Sequence, residues 1–369
     1  MLKNKNKGIT LVALVITIII LLILAGISIS ALTNTGIFEK AKDAKGKSEN
    51  AEKQQSGLLD SYEKELNKYI PQELTTANAN VVLSETENVE LHDANGYKIV
   101  VPAGFKVVVN DDTNNAMTVD KGIVIEDATS SATAGSQFVW IPVGTITKAD
   151  GTIVEINLDR YTFDENGKPT AQGENVIKKY YSETASKGNT VAKSITDFKN
   201  SVTTNGGYYI GRYEARKNAS GTITEVGTDT IWNNIFQPTA ATKAQEMYDN
   251  THPFTSDLMN SYAWDTATLF LQSCGTNNKY SMQGCLNYNY GSLASTGTNN
   301  RAEKDVQCNV FDMASNVYEW TTETCSGSHS TCVIRGGGYF TTHDYTSLRG
   351  CSSTRTISDG FGFRTLLYL

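Results

Sequence analysis

The chain has 369 residues, 19% of them charged, and a formal net charge of −7. That length accommodates two or three modules, and the acidic balance excludes the basic footprint of a nucleic-acid-binding surface. Only four histidines leave little scope for histidine-based metal chemistry.

The opening MLKNKNKG carries Lys3, Lys5 and Lys7, and no residue from Ile9 to Leu32 is charged. As a helix this run spans about 36 Å, more than the roughly 30 Å hydrocarbon core of a bilayer. The basic flank predicts a cytoplasmic N-terminus. A short basic leader ending in Gly8, followed by an apolar helix from Ile9, resembles the type IV prepilins over residues 1–35. The resemblance implies cleavage between Gly8 and Ile9, retention of the helix over 9–32, and other pilin subunits as partners. The sequence departs from the pattern at Ala13, where pilins usually carry Glu. An unpaired intramembrane carboxylate is costly, and its loss leaves two readings open: a minor or tip subunit, or a plain membrane anchor.

From Ile37 to Tyr69, small and apolar residues recur at spacings of three and four. They predict a stalk helix over 33–70 with Gly36 and Gly57 as weak points, ended by Pro71. Residues 71–136 read as a polar linker and a small β module. YKIVV (97–101), Pro102-Ala103-Gly104 and FKVVV (105–109) form strand, turn and strand. GIVIED (122–127) adds a strand before a flexible connector over 128–136.

Beyond Gln137 come a strand at QFVWIPVG (137–144), a short helix around 195–202 and a strand at 206–215. A helix follows at 256–272, with Tyr262, Trp264 and Leu269 facing the core. Together with SNVYEWT (315–321), RGGGY (335–339) and GFR (362–364), these pieces resemble the formylglycine-generating, sulfatase-modifying enzyme family. The resemblance spans 137–369 and implies an α+β domain of C-type-lectin fold. Fold alone does not bring activity. The family's copper-binding cysteines would stand near Thr341 and Thr346, and neither supplies a thiolate. His92, His252, His329 and His343 are too scattered for the iron-binding triad of a second branch. No catalytic residue and no required cofactor are expected. By resemblance, Asn316 and Glu319 hold a structural calcium; the competing reading pairs Glu319 with an arginine such as Arg335 or Arg364.

The six cysteines, Cys274, Cys285, Cys308, Cys325, Cys332 and Cys351, all lie in the last third of the chain and read as disulfides of an exported protein. Sequence does not choose among 15 pairings. The expected set is Cys325–Cys332, which closes a short Gly/Ser loop, then Cys274–Cys285 and Cys308–Cys351. Buried free thiols are the alternative.

Between the anchors Trp320 and Gly362–Arg364 lies a stretch of aromatic and small polar residues. Tyr339, Phe340, Thr342, His343, Asp344, Tyr345, Ser347, Arg349, Ser353, Arg355, Ile357 and Phe361 have the composition of a recognition surface. The same stretch resembles the mutable segment of variable proteins from diversity-generating retroelements, which lies between an RGG-like strand and a terminal GFR. The expected protein is a membrane-anchored, pilin-like surface protein with a non-catalytic head that binds an external protein or glycan. The alternatives are an active oxidase of the resembled family and a purely structural minor pilin.

Overall fold

The computed structural model describes residues 11–34, 36–66, 72–175, 177, 181–185, 187–286, 305–327, 329, 331–341 and 343–369. Gly8, Ile9, Pro71 and Thr342 lie outside them. The chain divides into two compact units, residues 1–70 and 71–369.

The first unit holds helices α1 (Leu11–Asn34) and α2 (Ile37–Leu66). They are separated at Gly36, whose φ of +62° is available to glycine at no steric cost. Within α1 the side chains of 14–28 and of Ser30 are described, and all are exposed. Among the described residues, no helix is long and apolar enough to cross a membrane. α2 is polar, and its described side chains are nearly all exposed.

The second unit is mostly sheet, giving the expected α+β class. Its main sheet has six strands: β1 (Phe105–Val108), β2 (Val124–Asp127), β3 (Gln137–Pro142), β4 (Gly207–Gly211), β5 (Thr255–Leu258) and β10 (Thr365–Tyr368), in the spatial order β5-β10-β4-β3-β2-β1. Strands from the region read as a neck therefore continue directly into the sheet of the 137–369 region. Lys98–Val101, the first strand of the expected hairpin, pairs instead with Val89–His92 in a separate small sheet. In β3 every residue from Phe138 to Pro142 is buried, so the strand is covered on both faces. Register places Trp140 opposite Tyr209, with ring centroids 4.8 Å apart.

Helix α3 (Ile195–Asn205) lies between β3 and β4 in the chain. It is capped by Ser194, which accepts the Asp197 N–H at 3.1 Å, and it stops at Gly206. Helices α4 (Gln237–Gln245) and α5 (Ser261–Cys274) flank β5 in the chain. α5 starts five residues later than the sequence reading has it. Ser256, Asp257 and Leu258 belong to β5, and the Asn260 side chain takes the Ala263 N–H at 2.9 Å as N-cap. Tyr262, Trp264 and Leu269 are buried as expected.

The second sheet carries the candidate site. It comprises Tyr181–Ser182, β6 (Tyr318–Cys325), β7 (Cys332–Arg335) and β8 (Gly350–Ser352), with β9 (Phe361–Phe363) running parallel to β6. All eight residues of β6 are buried. Trp140, Trp264 and Trp320 are among the largest fully buried side chains of this unit. Truncating one to Ala would cost about 3–5 kcal/mol.

The cysteine pairing differs from expectation. Cys325 is joined to Cys351, so neither Cys325–Cys332 nor Cys308–Cys351 forms, and Cys274 remains a thiol. Strand parity explains the first correction. Thr324 pairs with Cys332, so those two side chains share a face and Cys325 points to the other. The Cys325 N–H bonds Thr331 O at 3.2 Å, and Val333 pairs with Cys351, which puts Cys325 and Cys351 on one face.

Candidate binding face

Two buried ion networks hold the second sheet rigid. Arg364 meets Glu319 with Nη2–Oε1 at 2.6 Å and donates to Gly211 O and Phe311 O, each at 2.8 Å. This tie joins β4, β6 and the end of β9. Burial still pushes the Glu319 carboxyl upward, with Arg364 opposing that shift. In the second network Arg335 and Arg349 face Asp265 of α5 and Glu323 of β6. Arg335 also lies over the Trp264 ring at 5.4 Å.

Arg364 rather than Arg335 is thus the partner of Glu319. Asn316, held at φ +70°, donates through Nδ2 to Glu214 Oε2 at 2.5 Å. Burial pushes the Glu214 carboxyl well above the carboxylate range, helped by Asp312 and Glu319. Both residues read as calcium ligands are therefore engaged within the protein. Among the described residues, no group of three or more His, Cys, Asp or Glu side chains is placed to hold a metal ion.

Above this frame the aromatic side chains form a ladder from core to surface. Trp320 stacks on Phe361 at 5.1 Å, and Phe361 lies 5.6 Å from Tyr318. Tyr318 meets Phe340 edge to face at 5.3 Å, and Phe340 meets Tyr339 at 5.3 Å. The lower end is fully buried, while Phe340 is 48% exposed. Gly360 makes the upper step possible: a Cβ there would stand 2.0 Å from Phe340 Cε1. Gly336, at φ +76°, lets the segment after β7 pass close to Met313 O.

Two carboxylates close the ladder's polar edge. The Tyr318 hydroxyl donates to Asp344 Oδ2, and burial followed by this bond raises the Tyr318 phenol. Burial followed by a hydrogen bond with Asp359 raises Tyr339. Tyr345 is 39% exposed and Ile357 is 50% exposed. Tyr345 and Ser347 also border an open cavity of about 260 Å³, with Thr162, Phe163, Tyr181 and Met282 on its other walls.

The predicted residues thus fall into three groups. Phe340, His343, Tyr345, Arg355 and Ile357 are exposed, while Tyr339, Asp344, Ser347, Ser353 and Phe361 are half-buried. Arg349 does not present its charge outward: its guanidinium is bound to Asp265 and Glu323 and donates to Tyr161 O at 2.9 Å. Thr346 is buried, with Oγ1 donating to Tyr280 O at 2.7 Å. Sequence reasoning misses Tyr318 and Asp359. The available signal for Tyr318 was a hydroxyl-bearing ring two residues before Trp320, on the same side of a strand.

No family model matches the chain, and no curated protein matches it. Among solved structures, Treponema denticola variable protein 1 aligns with 65% of this chain and 99% of its own, at 14% identity and a TM-score of 0.30. The likeness is distant.

Proposed function

We propose that this is a membrane-anchored, pilin-like surface protein whose C-type-lectin-like head binds an external protein or glycan without catalysis. The aromatic ladder carries the binding reading: fully buried, ion-paired strands present Phe340, with Tyr345 and Ile357 exposed on the same 338–361 segment. Rigid aromatics among small polar groups are what recognition surfaces use. Thr341 and Thr346 support the non-catalytic reading, since neither can act as a thiolate. The uncharged run over 9–32 supports anchoring, with the head outside the cytoplasm. The composition of 339–361 supports a face that varies between copies of the gene.

The test is a glycan array and a cell-surface protein screen with the full chain in detergent. A ligand found with wild type should bind at least tenfold more weakly to Phe340→Ala and Tyr345→Ala, with thermal stability unchanged. Undiminished binding by both variants would refute the assignment of this face. A near-copy of the coding sequence for the last segment, differing at adenines and beside a reverse-transcriptase gene, would support variability; its absence would remove that part of the reading.

A further inference from the structure

We propose that Cys274 and Cys308 form a second disulfide, closed while the head folds. Both side chains line one open cavity of about 640 Å³. The residues next to them in sequence are already tied: Thr276 N–H and Asn277 N–H donate to Gln307 Oε1 at 2.7 and 3.3 Å. Gly275 packs so closely there that a Cβ would stand 2.3 Å from Gln307 Oε1. The end of α5 and the turn at 307–308 are thus fixed against each other with one cysteine on each. Cys308 is also held from the other side, its Sγ 3.7 Å from Asp120 O and its carbonyl against Gly122.

In the structure the two sulfurs are separate thiols. Burial pushes Cys274 up to about 12 and Cys308 well above the usual thiol range, and the neighbouring Cys274 raises Cys308 further. Thiols so protonated are poor nucleophiles, so the bond is made before burial is complete. One thiolate attacks a small disulfide oxidant, giving a mixed disulfide and releasing one thiol. The second thiolate then displaces the other half. Two cysteine thiols become one disulfide, and the oxidant leaves as two thiols carrying the two protons.

The experiment is refolding of the full chain in detergent with reduced and oxidised glutathione, followed by alkylation without reduction and peptide mapping. The expected result is a cross-linked pair of peptides containing Cys274 and Cys308, two hydrogens lighter than the separate peptides and split by reductant. Alkyl label on both cysteines, or linkage of either to a different cysteine, overturns the proposal. Cys274→Ser and Cys308→Ser should lower Tm equally, and the double variant no further; additive losses overturn it as well. The mapping uses glutathione in vitro, so its outcome is independent of whether the head faces an oxidising compartment.

Discussion

Arg364 satisfies three separate parts of the second unit at once: the Glu319 carboxylate, the Gly211 carbonyl and the Phe311 carbonyl. Removing one partner of such a pair leaves a buried charge, which typically costs about 3–5 kcal/mol. Arg364→Ala should destabilise the head by that amount in urea titrations of the full chain. Arg364→Lys should recover only part of it, because an ammonium cannot reproduce the planar fork. Glu225 makes a prediction of the opposite kind. It is fully buried, its Oε1 accepts the Thr365 N–H at 3.1 Å, and burial raises its carboxyl from 4.5 to about 8. The folded chain therefore keeps a proton that the unfolded chain releases. Its contribution to stability is complete below about pH 4.5 and is lost as pH rises through about 8. Glu225→Gln removes that loss. It should gain on wild type by a few kcal/mol on going from acid to pH 9, at about 1.4 kcal/mol per pKa unit. Melting curves at both ends of the range check this, and parallel curves would exclude it.

The proposed binding face depends on how segments meet. Phe340 belongs to the chain after β7, yet its seat is Gly360, just before β9. Gly360→Ala should push the ring off its seat; because Phe340 is half exposed, the ring can swing outward. The expected outcome is a small change in Tm with weakened ligand binding, and unaltered binding would show that the ring's position is immaterial. Elements with strong local signals are legible in the sequence: the apolar run of β3, the Ser194-capped α3, and Trp320 beside GFR. Features set by pairing are not. The Cys325–Cys351 bond follows from which residue of β7 faces Thr324, and no spacing in the chain encodes that register. Arg349 reads as a surface cation because arginines usually are. Its carboxylate partners come from α5 and β6, far away in sequence. The start of α5 was legible in principle, since Asn260 is a good N-cap, but the apolar residues of β5 blur into its helical pattern.

At the scale of the whole chain, an uncharged run and a folded head make separable demands. The head has its own core, to which the two large sheets, several smaller ones and three helices contribute, and among the described residues none of the buried core residues comes from the first unit. If 9–32 serves only as an anchor, deleting it should leave the melting behaviour of the head intact while moving the protein out of the membrane fraction. An apolar run of that length also sets the scale of the effect: replacing two central residues, Ile19 and Leu22, by Asp adds about 2.5–3.5 kcal/mol each to insertion. The double variant should therefore shift most of the protein to the soluble fraction, whereas Ile19→Leu with Leu22→Ile should not. Fractionation followed by immunoblotting distinguishes them, with binding by the released head read in parallel. Retention of the Asp variant in membranes would assign localisation to something other than this helix. Loss of both folding and membrane association would mean that the first unit contributes to the head's stability, contrary to a division into two compact units.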